Sequence, residues 1–243
     1  MKKYILLCIV FYGAHCLAQG NPELTEQWRP EIKVVEPGKT SNAAPADAIV
    51  LFDSVNLDNW ISVNDKKAAK WKVEHNIFTV AGGTGNIQTK QKFGDCQLHI
   101  EWRTPAEVKG TGQGRGNSGI FFMGLYELQV LDNYENRTYS NGQAGSIYKQ
   151  LPPLVNVCRK PGEWQTYDVI FTAPRYNKDS TIKTQARITV LQNGVLVQNN
   201  ATIWGATKYI GIATNEVQDE KASLILQDHG NPVSYRNVWI REL

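Results

Sequence analysis

The chain has 243 residues, of which 42% are hydrophobic and 10% aromatic, including seven Trp. That suits one globular domain with a substantial core, with or without a tail. The formal charge of +3 comes from dispersed Lys and Arg rather than a basic cluster, which argues against a nucleic-acid partner.

In chain order, Lys2 and Lys3 precede an apolar stretch over residues 4–12. It is too short to span a bilayer and reads as the centre of an export signal. "CLAQG" places small residues, Cys16 and Ala18, at −3 and −1, so cleavage is expected after Ala18. Residues 1–18 are thus a signal peptide, and the mature protein is expected in a bacterial periplasm or outside the cell, with no membrane span. A lipid anchor on Cys16 is disfavoured, because His15 stands where a small residue is needed. Residues 19–45, rich in Pro and polar groups, read as an extended N-terminal segment.

From residue 46 to 243 the pattern is one of short strands. "DAIVLFD" is the first. "WKVEHNIFTVAG" reads as two strands turning at His75-Asn76. "CQLHIEWRT" alternates Gln97, His99 and Glu101, expected to be solvated, against Leu98, Ile100 and Trp102. "TYDVIFTAP", "ARITVLQNGVLVQN", "SLILQDHG" and "YRNVWIREL" continue the theme, and Asn193-Gly194 is a hairpin turn. No stretch keeps a helical period over three turns. The fold class is therefore all-β, an antiparallel jelly-roll sandwich. Cys96 and Cys158 are too few for a disulfide framework and lack metal-site spacing; they are expected to be buried thiols.

The stretch "GRGNSGIFFMGLYELQVLD" carries the chemistry. Glu127 and Gln129 share one strand face, while Tyr126, Leu128 and Val130 share the other. Asp132 has the wrong parity, and a one-residue bulge near Leu131 would bring it to the polar face. The preceding "KGTGQGRGNSG" lacks the G-K-[ST] ending of a phosphate loop and leads into a strand. It reads as a rim loop presenting Arg115 and Asn117. "LQDHGNPV" puts Gln227 and His229 on one face at a strand end, and an imidazole there can move a proton near neutral pH. "GSIYKQLPP" supplies Tyr148 and Lys149, the latter able to stabilise an oxyanion. Trp164 is expected in the core and His75 in a structural role.

The spacing of Glu127, Gln129 and Asp132 is similar to the E-x-D-x-x-E strand of jelly-roll beta-glucanases, whose outer carboxylates work as a pair about 5–5.5 Å apart. Here the centre is an amide and the third member is short, which speaks against double displacement. Taken together, "DAIVLFD…LDNW", "WKVEHNIFTVAG", "FGDCQLHIEWR", "GNSGIFFMGLYELQVLD", "GSIYKQLPP", "RKPGEWQTYDVIF" and "LQDHGNPVSYRNVWI" resemble the 3-keto-disaccharide hydrolase domain across about residues 45–243. Ser54 stands where that family usually has Gly. The resemblance implies a concanavalin A-like jelly roll in an exported bacterial protein acting on a 3-keto-glycoside or 3-keto-disaccharide. It implies no obligatory cofactor and leaves room for a divalent metal at the ketone.

Such a substrate has an acidified C2 proton, so one base and one oxyanion stabiliser suffice. Residue chemistry assigns Glu127 or His229 as base and Asp132 as orienting or relay group. Arg115 or Lys149 is the oxyanion stabiliser. Gln129, Gln227, Asn117 and Tyr148 bind the substrate. Two other readings stand beside this one. A conventional glycoside hydrolase would need two carboxyls flanking one cleft. A non-catalytic carbohydrate-binding module would need an exposed aromatic platform and no poised base.

Overall fold

Residues with left-handed backbone set where the strands reverse. The computed structural model describes residues 21–243, so the expected signal peptide and its cleavage point lie outside the described residues. The chain divides at Val34. In the first unit Pro22–Thr25 form a 3-10 turn, with Asn21 Oδ1 accepting from the Glu23 amide. The second unit, residues 35–243, holds the strands. In order these are β1 (Ile49–Phe52), β2 (Trp60–Ser62), β3 (Lys72–Glu74), β4 (Ile77–Thr79), β5 (Ile87–Phe93), β6 (Cys96–Arg103), β7 (Ser118–Phe122) and β8 (Tyr126–Val130). They continue with β9 (Gln165–Thr172), β10 (Arg175–Tyr176), β11 (Ile182–Thr184), β12 (Ala186–Gln192), β13 (Val195–Ile203), β14 (Ala222–Leu226) and β15 (Ser234–Glu242).

The larger antiparallel sheet runs β13-β12-β9-β6-β15-β4-β3, with β1 also paired to β15; the smaller runs β2-β5-β14-β7-β8. This is the jelly-roll sandwich that the alternation implies. His75 and Asn76, at φ 48° and 62°, turn β3 into β4, and Asn193 and Gly194, at φ 53° and 79°, turn β12 into β13. Ser54 adopts φ 75°, the left-handed conformation that glycine takes without strain, and Asp53 Oδ1 braces the turn by accepting from the Val55 amide.

Between the sheets, Leu98, Ile100 and Trp102 of β6 and Tyr167, Val169 and Phe171 of β9 are buried together with Ile120, Phe122, Leu128 and Val130. Phe122 stacks on Phe171 at 4.8 Å. Each such side chain stabilises the fold by roughly 1.5–3 kcal/mol. Two hydroxyls tie the sheets: Tyr167 Oη donates to the Gln129 carbonyl (2.8 Å) and Tyr235 Oη to Ser118 Oγ (2.6 Å). Cys96 and Cys158 are free thiols, which burial pushes up to about 12 and about 11.

Two expectations fail on the outer face of the larger sheet. His99 and Glu101 are buried, not solvated. Trp239 stacks on the His99 ring at 5.3 Å, and the Asn42 carbonyl accepts from Trp239 Nε1 and Asn237 Nδ2. A register irregularity in β15, with Asn237 at φ 44°, accompanies donation by Arg236 Nε (2.6 Å) and Asn237 Nδ2 (2.9 Å) to Glu101. His99 Nδ1 lies 2.6 Å from Asp168 Oδ1 and Nε2 lies 3.6 Å from Glu101 Oε1. Trp164, expected in the core, is half-buried, because its parity matches the outer residues Thr166 and Asp168; the Arg103 and Arg236 guanidiniums lie 4.8 and 4.1 Å from its ring.

Burial alone would pull the His99 imidazole down, but Asp168 and Glu101 outweigh it and raise it to about 9. The folded state therefore holds a proton that the unfolded chain releases near 6.5. This contribution is fully present below 6.5 and lost as pH rises through about 9. Its size is on the order of 2–3 kcal/mol, or roughly 5–10 °C in Tm. Thermal unfolding of His99→Phe should show a correspondingly shallower fall of Tm over that range than the wild type. Equal slopes would contradict a charged His99.

Candidate active site

The smaller sheet serves two environments through strand parity. On β8, Tyr126, Leu128 and Val130 enter the core while Glu127 and Gln129 line a cavity on the other face. On β7, Phe121 pairs with Glu127 and Gly119 with Gln129, and Gln227 follows β14 with its amide on the Gly119 carbonyl (2.9 Å). β8 ends the sheet, and its free edge is covered. Gln129 N donates to Ser146 O (3.0 Å), Tyr148 N to Glu127 O (3.1 Å), and Thr207 N to Leu125 O (2.9 Å). These bonds anchor two walls, one carrying Tyr148 and Lys149 and the other Thr207 and Tyr209. The glycine loop, through Gln113 and Asn117, makes the third. They enclose about 540 Å³, within the usual range for a small-molecule site.

Glu127 is 4% exposed. A Cβ on Gly119 would lie 2.6 Å from Glu127 Oε1, so only glycine lets the carboxyl rest there. Burial raises Glu127 to about 8. Either orientation of the neighbouring Gln129 amide would find partners. In one, Nε2 donates to Gln113 Oε1 (3.0 Å) and Asn117 Oδ1 (3.4 Å). Turned over, it donates to Glu127 Oε1 (3.1 Å) and Ser118 O (3.2 Å). A neutral Glu127 suits the first, since it can donate to the amide oxygen; a carboxylate suits the second.

Seven of the nine sequence candidates meet in this cavity: Asn117, Glu127, Gln129, Tyr148, Lys149, Gln227 and His229. Gln227 Oε1 is buried without a partner, an acceptor for a ligand hydroxyl. His229 is exposed at the mouth. Lys149, at φ 62°, holds its ammonium 4.3 Å from the Tyr139 ring centre and 5.5 Å from that of Tyr209. The other two candidates are elsewhere. No bulge returns Asp132 to the face of Glu127, because β8 ends at Val130. Asp132 instead binds Arg115 Nε (2.7 Å) and the Tyr134 amide (3.1 Å), and the pair lines an adjoining cavity. Arg115 therefore does not reach the cavity beside Glu127; Gln113, two residues earlier in the same loop, does.

Sequence reasoning also missed Gly119, Phe121, Tyr139, Thr207 and Tyr209. A glycine inside the apolar run "SGIFF" signals Gly119; the loop residues carry no periodic signal. Among the described residues no group of three or more His, Cys, Asp or Glu could hold a metal ion. Among the described residues lining the cavity, Glu127 and His229 alone are of these types, fewer than the three or four side chains that hold a zinc ion.

The sequence matches the 3-keto-alpha-glucoside-1,2-lyase-like domain over residues 47–241. The chain belongs to that family. No curated protein matches it. A crystal structure from Parabacteroides distasonis ATCC 8503, of a protein provisionally described as a glycosyl hydrolase, is 50% identical with a TM-score of 0.88, covering 93% of this chain and 98% of that one. A second protein from the same organism, described the same way, is 20% identical with a TM-score of 0.57 over 81% and 94% of the two chains, and supports the fold alone. Members of the 3-keto-alpha-glucoside-1,2-lyase-like family are carbohydrate-active, glycosyl-hydrolase-like enzymes, and this chain is one of them.

Proposed function

We propose that the protein cleaves 3-keto-glycosides by elimination across C1 and C2, with Glu127 as the base. The observation that carries this reading is a single carboxyl: Glu127 is the one acid among the described residues lining the cavity. A conventional glycosidase needs two across one bond, and Asp132 is held by Arg115 in another cavity. A ketone at C3 removes that need, because it acidifies the C2 proton. Glu127 takes this proton and the electron pair moves onto the C3 oxygen. The pair then returns as the C1–O bond breaks, leaving a C1–C2 double bond conjugated to the ketone and releasing the aglycone, which takes up a proton. Water adding at C1 completes a net hydrolysis. The family's description as 1,2-lyase-like supports this order of events.

Raising Glu127 to about 8 strengthens it as a base once ionised. Lys149, the one Lys or Arg among the described lining residues, stabilises the oxygen anion at C3. Gln227, Asn117 and Gln129 accept or donate to the remaining hydroxyls. His229, at the solvent edge, exchanges protons between Glu127 and bulk water. We also propose export to the periplasm or beyond, on the strength of Lys2, Lys3 and the apolar stretch ahead of "CLAQG".

Incubating a 3-keto-glycoside in deuterated water tests the chemistry. The wild type should exchange the C2 proton, with kcat/KM rising with pH through about 8, because the base acts only when ionised. Glu127→Gln should lower kcat by roughly 10²–10⁴-fold. Undiminished exchange in that variant would move the base elsewhere, and cleavage without exchange would refute elimination. For export, the intact mass of protein recovered outside the cytoplasm should begin at Gln19; a retained N-terminus would refute it.

A further inference from the structure

We infer that a second groove, opening beside the candidate site, holds the leaving group, and that this group is an apolar, ring-bearing aglycone rather than a second sugar. The inference rests on the cleavage reading only in calling the occupant a leaving group. The groove, of about 260 Å³, shares Tyr148 and Lys149 with the larger cavity and is otherwise lined by residues that include Gln150, Trp204, Lys208 and Ile212. A ligand in the first cavity with a substituent directed past Lys149 therefore enters it.

The segment that builds the groove is residues 204–221, which carry the chain from β13 in the larger sheet to β14 in the smaller one. Its first part is braced. Ala206 and Thr214 bridge, with the Ala206 amide on the Thr214 carbonyl (2.9 Å). Gly205, at φ 147°, permits this closure, since a Cβ there would lie 2.4 Å from the Thr214 carbonyl carbon. Gln150 clasps the start of the segment by accepting from Trp204 N (2.8 Å) and donating to Gly205 O (3.0 Å). On this frame Trp204 is 57% exposed and Ile212 86% exposed. Large apolar side chains grouped on a braced surface next to a cavity mark a binding face.

The chemistry of the occupant follows from what the polar groups are doing. Both polar ends of Gln150 are engaged with the backbone. Lys208 Nζ donates to Thr214 Oγ1 (2.6 Å) and faces Glu216 at 3.9 Å. These bonds turn the polar ends of Gln150 and Lys208 toward the segment itself, so the surface left to an occupant is chiefly apolar. An aromatic or other apolar ring needs only the Trp204 face and the Ile212 side chain. The first cavity is the opposite case: the Glu127 carboxyl and the unpartnered Gln227 Oε1 await a polyhydroxylated ligand. Tyr148 and Lys149 border both cavities, so the C1 substituent of such a substrate would pass between them into the groove.

The test compares methyl and 2-phenylethyl 3-keto-α-glucosides, whose alcohols are alike as leaving groups, with a 3-keto-disaccharide. The 2-phenylethyl substrate should have the highest kcat/KM, by about tenfold over methyl, and Trp204→Ala should lower it about tenfold more than it lowers the methyl value. A preference for the disaccharide, or equal losses on both simple glucosides, would overturn the inference. Binding of unoxidised 2-phenylethyl α-glucoside, followed by calorimetry, separates the groove from the chemistry. It should bind the wild type at least tenfold more tightly than Trp204→Ala even if no 3-keto-glycoside is cleaved, and absence of that difference would sink the groove while leaving the Glu127 reading intact. Sedimentation of both proteins closes the remaining route: a wild-type dimer that Trp204→Ala converts to monomer would make this face an interface between copies instead.

Discussion

A carboxyl kept out of water without a cationic partner is the constraint around which the site is organised. Glu127 could reach solvent at little cost if its surroundings gave way, so they are built not to. Gly119 removes the Cβ that would displace it, Phe121 lies beside it on the neighbouring strand, and the backbone of β8 is bonded on its outer side to Tyr148 and Thr207. An unpaired ionised carboxylate in such a place costs several kcal/mol, and the group answers by holding its proton into the neutral range. The folded state therefore loses stability as pH rises from the ordinary carboxyl value of 4.5 to about 8. That sacrifice has a chemical use, since a carboxylate which binds a proton more tightly is better matched to removing one from carbon.

The sandwich makes this arrangement affordable. β8 is an edge strand, yet one of its faces is pinned into the core, with Leu128 and Val130 fully buried and Tyr167 Oη on the Gln129 carbonyl. The opposite face can then carry Glu127 and Gln129 without the strand peeling away. Two of the walls come from distant parts of the chain and are tied by backbone bonds to β8 or to Leu125 just before it, while the glycine loop meets β8 through the Gln113 and Asn117 side chains. Substituting a wall residue thus alters chemistry or affinity before it alters the fold.

What was legible in the sequence was whatever depends on period and on local turn chemistry. His75-Asn76 and Asn193-Gly194 needed left-handed backbone and took it. The split of Glu127 and Gln129 from Leu128 follows from parity alone. Asp132 departs from the expected face because the strand ends at Val130 instead of bulging, and because nothing in sequence reveals that Arg115 lies 2.7 Å away. His99 looked solvated because its cover, Trp239 and the Asn42 carbonyl, comes from far along the chain. Trp164 is core-like by residue type, but its parity with Asp168 turns it outward. Tyr139 and Tyr209 sit in aperiodic loops, where only the folded chain says which cavity they border.

The most direct test is a titration of Glu127 itself. Carbon-13 NMR of the side-chain carboxyls in labelled protein, with Glu127 assigned by its absence from Glu127→Gln, reads the midpoint without any substrate. A midpoint near 8 is expected of a carboxyl desolvated over Gly119. A midpoint near the ordinary 4.5 would mean that water reaches the group, and would contradict the account of Glu127 as the protein's tuned base.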